Sequence, residues 1–263
     1  MQNFNIHSHT IRCHHAVGTD EEYVQAAIKC GLHFLGFSDH VPFRNRIPDH
    51  DRMTYDEMNE YLDSIASLKE KYKNQITILS GFECEYFPEF DDYYKELLAK
   101  VDYLILGQHY PSQCGTDFCE SATDDELVTY SDLVCQGIKS GYFSYVAHPS
   151  YFMLARDSWS PACTMAIERI CKTAKEHNMP IEINLKGISY GKHNFIDGTS
   201  FFYPNKNSLA IVEKYNNTCV YGLDCHDPKY YAEMNNYINE FKTEYPQFNQ
   251  NMVEDIHLLL RKK

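Results

Sequence analysis

The sequence contains no long apolar run and no excess of basic residues, and each absence excludes a class of protein. No stretch reaches the roughly 18 consecutive apolar residues that a membrane-spanning helix needs, and residues 1–5 are not a basic region leading into an apolar one. The chain has 24 basic against 37 acidic residues and a formal net charge of −13, which disfavours general attraction to nucleic acid or to an anionic membrane. We therefore expect a cytoplasmic protein that acts on a small molecule, without a nucleic-acid or membrane partner; the oligomeric state stays open.

The sequence also lacks the marks of a disulfide framework and of separate domains. Its ten cysteines are scattered and include no C-x-x-C pair, so we interpret them as reduced thiols, most of them in the core. There is no internal repeat, no low-complexity tract and no linker rich in proline, glycine and serine. A chain of 263 residues without such a boundary is predicted to form a single barrel domain over residues 1–263.

Seven short apolar runs recur along the chain, and each is followed by a polar loop and a segment of helical character. Capping boxes mark two helix starts, Thr19 with Glu22 and Thr54 with Glu57, in which hydroxyl and carboxylate satisfy free backbone N–H groups. This alternation of strands and helices favours an α/β barrel. The predicted strands are residues 2–6, 33–38, 76–82, 102–107, 143–147, 180–184 and 218–223.

Six of the seven predicted strands end in a side chain that can bind a metal. His7 and His9 project to the same side of an extended segment, because side chains alternate with a period of two. In a closed barrel the carboxyl ends of all strands meet on one face, so these groups are expected to form one cluster. Mixed histidine and carboxylate ligands suit Zn, Mn or Fe. The six strand ends are His7-Ser8-His9, Ser38-Asp39-His40, Gly81-Phe82-Glu83, Gly107-Gln108-His109, Ala147-His148-Pro149 and Leu223-Asp224-Cys225-His226.

Six segments resemble, in order and over residues 1–228, the successive motifs of the PHP (polymerase and histidinol phosphatase) family. Members of that family are distorted (β/α)7 barrels with up to three metals. The resemblance therefore implies an α/β, TIM-like barrel with a metal cluster at the C-terminal ends of its strands, and two to three divalent metal ions as cofactors. The segments are H-S-H-T-I-R-C-H-H-A-V-G, F-S-D-H-V-P-F, G-F-E-C-E, L-G-Q-H, A-H-P and G-L-D-C-H-D.

The resemblance also implies three groups of metal ligands, with one carboxylate shared between the first two. In the third group His15 is preferred to His14 because it lies six residues after His9, the spacing associated with the phosphatase branch of the family. Asp39 is expected to orient a ligand, because a metal-bound imidazole needs a partner for its other N–H. The groups are His7, His9, Glu83 and Asp224; Glu83, His109 and His148; and His15, His40 and His226.

Within the family, the chain resembles the histidinol-phosphate phosphatase branch in its length, its H-T-x-x-C-x-H-A-x-G opening and its E-I-N-x-x-G pattern. The implied reaction converts L-histidinol phosphate to histidinol and inorganic phosphate, a step of histidine biosynthesis, through a hydroxide that bridges the metals. The resemblance assigns the catalytic roles to Asp224, Glu83 and His226.

Four residues are predicted to contact the substrate. The phosphatase branch supplies arginines to the phosphate, and Arg156 is the candidate for one of them. At the place of a second arginine this chain has Ser189, which opens the question of what replaces it. Lys186 and Lys192 are the candidate substitutes, although a lysine offers a point charge instead of a planar fork. Tyr110 directly follows a predicted ligand and is the fourth candidate.

The far end of the substrate pocket and the substrate itself leave alternatives. An amine and an imidazole require acidic or aromatic partners, for which Glu85, Asp117, Glu120 and the loop 190–203 are candidates. Ser189 and the same loop also favour an alternative, a PHP enzyme that acts on another phosphate monoester or a diester. A second alternative is a noncatalytic metal-binding regulatory module.

Overall fold

A computed structural model of the chain describes residues 2–44 and 51–260. Six strands pair in parallel, and two more form a short antiparallel hairpin. The strands are β1 (Phe4–Asn5), β2 (Phe34–Phe37), β3 (Thr77–Cys84), β4 (Tyr103–Leu106), β5 (Ile181–Asn184), β6 (His193–Phe195), β7 (Gly198–Ser200) and β8 (Cys219–Gly222).

Single backbone bridges close the parallel strands into a ring. Regular pairing gives the order β1-β2-β3-β4 and, separately, β5-β8. Val146 bridges Leu106 at the end of β4 to Ile181 at the start of β5, and Ser8 bridges to Cys225 beyond β8. The predicted distorted (β/α)7 barrel is confirmed, with six parallel strands and the segment around Val146 as its seventh member.

The predicted strand 143–147 is reduced to a single bridge at Val146, although Ser144, Tyr145 and Ala147 also hydrogen-bond to the backbone of β4. The chain leaves the extended conformation at His148, where φ is +24°. The segment 187–203, which the sequence analysis treats as an irregular loop, contains the hairpin β6–β7. Gly198, with φ of +119°, lies at its turn in a conformation that favours glycine.

Helices alternate with the strands and cover the outside of the ring. The predicted capping boxes are confirmed: the Thr19 N–H donates to Glu22 at 2.6 Å, and the Thr54 N–H donates to Glu57 at 2.7 Å. No helix among the described residues is long and apolar enough to span a bilayer. The helices are α1 (Asp20–Lys29), α2 (Met58–Tyr72), α3 (Asp91–Lys100), α4 (Asp124–Ser140), α5 (Pro161–Glu176), α6 (Leu185–Ser189), α7 (Lys206–Lys214) and α8 (Met234–Glu244). The 3-10 segments are Ile11–Cys13, Tyr55–Glu57, Pro88–Phe90, Tyr151–Ala155, Pro228–Glu233 and Ile256–Leu258.

Apolar side chains fill the ring below the strand ends. Tyr103 is buried there, and its hydroxyl donates to the carbonyls of Ile6 at 2.8 Å and Phe37 at 3.0 Å. Val253, in the C-terminal segment, packs in the same cluster and donates its N–H to the carbonyl of Cys219. The opposite end of the ring, where the strands point, is lined by polar groups.

Candidate metal centre

The nine predicted metal ligands lie at the C-terminal ends of the strands. Eight are buried with at most 9% of their surface exposed, and His15 is exposed. Two of them have a left-handed backbone, with φ of 24° at His148 and 49° at Asp224. Such strain costs roughly 1–3 kcal/mol for each residue and concentrates at functional sites.

Glu83 lies between two groups of imidazoles. Its Oε2 is 3.3 Å from Nε2 of His7 and 3.3 Å from Nε2 of His9. Its Oε1 is 2.7 Å from Nε2 of His148 and 3.5 Å from Nε2 of His109. Each oxygen thus faces a different group, as a carboxylate that bridges two metals requires. The predicted bridging role fits this geometry and stays a prediction.

Asp224 completes the first group from the end of β8, which lies next to β1 in the ring. Its Oδ1 is 3.3 Å from Nε2 of His9 and 3.8 Å from Nε2 of His7. The potential ligand atoms of these three residues all lie within 4.8 Å of one another. That spacing suits a single divalent ion bound by imidazole and carboxylate.

The third group consists of His15, His40 and His226, whose ligand atoms also lie within 4.8 Å of one another. The ring of His226 stacks between those of His9 and His15, at centroid distances of 4.2 and 4.5 Å. Burial holds the pKa of His40 and of His226 well below the usual range, so both are neutral imidazoles, the form that binds metals. His14 is exposed at the left-handed end of the 3-10 segment, which agrees with the preference for His15.

Several buried nitrogens in the cluster have no hydrogen-bond partner among the described residues. They are Nε2 of His7, both ring nitrogens of His9, Nδ1 of His40 and Nδ1 of His148. Leaving such an atom unpaired costs about 1–3 kcal/mol, whereas a bound metal would use its lone pair. Gly107 leaves the space that the Glu83 carboxylate occupies, because a Cβ there would overlap that carboxylate. The donor set therefore fits divalent metal ions better than a purely structural cluster of hydrogen-bonded histidines.

The two central carboxylates are ionised. Burial raises the pKa of Glu83, but His7 and His109 outweigh it and hold the value well below the usual range. Burial likewise raises the pKa of Asp224, and the ammonium of Lys186 is the main group that lowers it well below its usual range. Both carboxylates are thus ready to bind cations.

Glu182 orients the first group and was not predicted as a site residue. Its Oε1 is 2.6 Å from Nδ1 of His7, so the metal-facing nitrogen of that ring is Nε2. Its Oε2 accepts from the backbone N–H of His148 at 3.0 Å and from the side-chain amide of Asn184 at 2.9 Å. The sequence does contain a signal for Glu182, namely an acidic residue inside the predicted apolar strand 180–184. A carboxylate buried in such a strand needs a polar partner.

The orienting role expected of Asp39 stays a prediction, because its Oδ2 and Nδ1 of His9 are both buried without a hydrogen-bond partner among the described residues. Its Oδ1 accepts from the backbone N–H of Thr10 at 2.8 Å, and no described imidazole hydrogen-bonds to it. Burial raises its pKa. Asp39 also holds the loop that follows β1 through Thr10, and Glu182 orients His7.

A cavity of about 270 Å³ opens above the cluster. Lys186, in α6, reaches into it, and its Nζ lies 3.6 Å from Oδ1 of Asp224 and 3.0 Å from Nδ1 of His226. Burial lowers the pKa of Lys186, but Asp224 outweighs this effect and the net shift is upward, so the side chain is a cation. The lining residues are His15, His40, Asp51, Glu83, His109, Asp117, Cys119, His148, Tyr151, Leu154, Lys186, Tyr190, Tyr203, Asp224 and His226.

The other three predicted substrate contacts do not line this cavity. Arg156 is held by the Ala122 carbonyl and by Asp124 at 2.7 Å. Lys192 pairs with Glu244 at 2.8 Å on the surface. Tyr110 donates to Asp51, which lines the cavity, at 3.1 Å. The sequence missed Asp51 and Tyr151, which reach the cavity only in the folded chain, whereas Tyr203 belongs to the candidate loop 190–203.

A second cavity, of about 360 Å³, adjoins the first and shares five lining residues with it: His15, Lys186, Tyr190, Asp224 and His226. Ser189, which stands at the place of the expected arginine, lines this second cavity. Two further tyrosines, Tyr230 and Tyr237, form part of its wall. The cluster can therefore be reached from two sides of Lys186.

Comparison with known proteins gives a family and two named relatives. The family model of the PHP domain matches residues 5–186. The "Probable histidinol-phosphatase" of Deinococcus radiodurans is 30% identical over 151 residues, which are 54% of this chain and 58% of that protein. The histidinol-phosphatase of Bacillus subtilis is 29% identical over 157 residues, 55% of this chain and 58% of that protein. The match thus spans less than two thirds of the length of either relative.

A solved structure covers the whole fold. The histidinol phosphate phosphatase of Lactococcus lactis, crystallised with zinc, L-histidinol and phosphate, has a TM-score of 0.72 and 15% identity, with 99% of each chain covered. At that identity the likeness shows a common fold, and the fold is the predicted TIM-like barrel.

Proposed function

The chain belongs to the PHP domain family, and from this membership and the geometry of the cluster we propose that it is a metal-dependent phosphomonoesterase that hydrolyses histidinol phosphate to histidinol and inorganic phosphate. The observation that carries the proposal is the convergence of nine potential ligands, with unpaired buried nitrogens, below a cavity that also holds the Lys186 cation. A regulatory module without catalysis would not need a small-molecule cavity at this point.

The proposed ligands are the nine residues at the strand ends, in the three groups described above. When bound there, two to three divalent ions such as Zn, Mn or Fe would activate water and neutralise phosphoryl oxygens. Glu83 and Asp224 supply the negative charge that holds cations. Glu182 hydrogen-bonds to Nδ1 of His7, so that Nε2 of the same ring faces Glu83 and Asp224. Lys186 stands where it can pair with a phosphoryl oxygen, since its Nζ borders both the cavity and Asp224.

The choice of histidinol phosphate is supported by the names of the relatives and by the ligands of the Lactococcus lactis protein. The cavity of about 270 Å³ suits a small ester. Its aromatic walls, Tyr151, Tyr190 and Tyr203, offer flat surfaces for an imidazole ring.

A phosphate-release assay on metal-loaded protein with a panel of phosphate esters tests the proposal, and a pair of lysine variants makes it specific. Lys186→Gln should lower kcat/KM about 10- to 100-fold, because a charged hydrogen bond is worth about 1.5–3 kcal/mol and each 1.4 kcal/mol is about tenfold. The matched control is Lys192→Gln, which removes the other candidate lysine from its surface pair with Glu244 and should leave kcat/KM unchanged. Equal effects of the two variants would remove Lys186 from the phosphate site.

The second cavity favours one alternative substrate class, an ester with a larger or second substituent. It opens beside Lys186 and Ser189, on the side away from Asp117 and Tyr151. The same panel of phosphate esters distinguishes the two substrate classes. Cleavage of another monoester or of a diester, with no cleavage of histidinol phosphate, would replace histidinol phosphate by this broader class of substrate.

A further inference from the structure

A single buried guanidinium, that of Arg52, connects the chain segments that follow three neighbouring strands. Arg52 is 1% exposed and is among the largest fully buried side chains of the protein. It donates to the Val41 carbonyl after β2 at 3.3 Å, and to both oxygens of Glu85 after β3 at 2.9 and 3.1 Å. It also donates to both oxygens of Asp51 at 2.7 and 3.0 Å, and Asp51 accepts from the hydroxyl of Tyr110 after β4 at 3.1 Å.

The same three segments carry three of the nine potential metal ligands, one from each strand end. Val41 directly follows the first of them in the sequence, Glu85 lies two residues after the second, and Tyr110 directly follows the third. A guanidinium has five N–H donors in a rigid plane, so it can hold several acceptors in one fixed arrangement. Arg52 therefore restrains the positions of these segments relative to one another. The three ligands are His40, Glu83 and His109.

The contact between Arg52 and Glu85 leads directly to a ligand ring. Oε1 of Glu85, which accepts from Arg52 at 2.9 Å, also lies 3.2 Å from Nδ1 of His109. A carboxylate paired with a guanidinium only accepts hydrogen bonds, so Nδ1 of His109 is the nitrogen that carries the proton. Nε2 of the same ring keeps its lone pair and lies 3.5 Å from Oε1 of Glu83. The oxygen that Arg52 holds is thus the one that orients His109.

The second ligand group depends on this orientation more than on any other contact of its imidazoles. Its other imidazole, His148, has no partner for Nδ1 among the described residues. Glu85 is fully buried, and Arg52 is its one lysine or arginine partner in residues 2–44 and 51–260. Because a buried charge without a partner is costly, the position of Glu85 depends on Arg52.

We propose that Arg52 is a positioning residue of the metal cluster: it holds Glu85 against Nδ1 of His109 and thereby directs Nε2 of that ring towards the ion of the second ligand group. This inference rests on the proposed function for the presence of the ions, and it is independent of which ester is hydrolysed. Glu182 has the corresponding role for His7 in the first group. The two groups are therefore oriented by different carboxylates, and a change at Arg52 should leave the first group intact.

Titration of zinc-loaded protein with a chelator tests the role of Arg52. Arg52→Lys keeps the positive charge, but a lysine cannot hold both oxygens of Glu85 and of Asp51 in a planar fork. One ion should bind about 10- to 100-fold more weakly than in the wild-type protein, the range found when an outer partner of a ligand is lost. The ion of the first group should keep its affinity.

Arg44→Lys is the matched control, because it makes the same change at an arginine that is 50% exposed and pairs with Glu96 on α3. It should leave every zinc affinity unchanged. Glu85→Gln keeps the size of the buried side chain and is the second variant; it should weaken the same ion as Arg52→Lys. Wild-type affinities in both variants, or an equal loss of all ions, would overturn the inference, since an equal loss indicates a general effect on the fold.

The tautomer of His109 gives a readout that requires neither metal nor catalysis. Nitrogen–proton correlation spectra of metal-free protein with isotopically labelled histidine should show the proton of His109 on Nδ1, and the loss of this signal in His109→Gln would assign it. Arg52→Lys should lose the preference for Nδ1, whereas Arg44→Lys should keep it. A proton on Nε2 in the wild-type protein would overturn the inference even if zinc binds. A wild-type protein that binds no zinc would overturn the proposed function, whereas loss of the Nδ1 tautomer in Arg52→Lys would still support the orienting role of Arg52.

Discussion

Replacement of Glu182 by glutamine should weaken metal binding although Glu182 touches no metal position. Glutamine has the same size as glutamate, which matters because Glu182 is only 1% exposed. The site has no spare volume, since a Cβ added to the neighbouring Gly222 would overlap the Glu182 carboxylate. The change is therefore electronic, and its consequences follow from the three hydrogen bonds of this carboxylate.

The amide of the glutamine can satisfy only part of these partners. Oε2 of Glu182 accepts from two donors, the His148 N–H and the Asn184 amide, so the carbonyl oxygen of the glutamine should turn towards them. Its NH2 then faces Nδ1 of His7, which the carboxylate meets at 2.6 Å. To accept from this NH2, His7 must carry its proton on Nε2, the nitrogen that faces Glu83 and Asp224. A metal can bind there only after the proton is displaced.

The magnitude follows from the bonds that change. A charge-assisted hydrogen bond is worth about 1.5–3 kcal/mol and a neutral one about 0.5–1.5 kcal/mol. The difference of about 1–1.5 kcal/mol corresponds to roughly tenfold in affinity, and the tautomer change adds to it. We expect a loss of about 10- to 100-fold, the range that such outer partners show in other metal sites.

Competition with a chromophoric chelator would measure the affinity, and elemental analysis after dialysis would measure the number of ions retained. Glu70→Gln, the same chemical change at a side chain that is 74% exposed, serves as the control and should match the wild-type protein. A Glu182→Gln variant with wild-type affinity and stoichiometry would refute the reasoning, because it would mean that His7 is either not a ligand or not oriented by Glu182.

Three further predictions concern the cluster and the stability of the barrel. Glu83→Ala should remove about half or more of the bound metal, measured by elemental analysis, since both of its oxygens face imidazoles; full metal content would show that it does not bridge. Asp224→Asn should fold like the wild-type protein, by circular dichroism, yet lower turnover by orders of magnitude, because a neutral amide is a poorer ligand; turnover at the wild-type level would place the reaction elsewhere. Asp102→Asn should lower the free energy of unfolding in urea by about 1 kcal/mol at pH 7, through loss of the partly exposed pair with Lys69 at 2.6 Å. Burial raises the pKa of Asp102, but Lys69 and Ser80 outweigh it and bring the pKa below the usual 3.8. The difference in free energy of unfolding between wild-type protein and Asp102→Asn should therefore be constant above about pH 5 and shrink as the pH falls below 3.8. A difference that persists undiminished at about pH 2 would contradict a stabilising pair between Asp102 and Lys69.

The ligand set was predictable from the sequence because each metal-competent residue directly follows or ends an apolar run. The direction of a parallel strand determines on which face its end lies, so His7, His9, Glu83 and Asp224 had to meet if a barrel formed. The same logic placed His109 and His148. The capping boxes at Thr19 and Thr54 were equally local, since each depends on residues three positions apart.

The residues that orient the ligands and meet the substrate were less predictable. Glu182 and Asp39 are both acidic residues in or after a strand, and the sequence cannot say which one hydrogen-bonds to an imidazole. Arg156 follows His148 closely along the chain, yet its guanidinium pairs with Asp124. Lys186 and Lys192 lie six residues apart, but α6 directs the first towards Asp224 while the second pairs with Glu244 on the surface.

The sequence by itself determined the order of strands and helices, the side of the barrel on which the chemistry lies and the types of metal ligands, because these properties depend on short-range patterns. The tertiary structure alone decided which charges meet across the cavity. Asp51 and Asp117 come from two loops and Lys186 comes from α6. Their positions depend on contacts with Arg52, Tyr151 and Asp224, respectively. Long-range packing, which leaves no periodic signal in the chain, therefore sets the polarity of the cavity and with it the proposed choice of substrate.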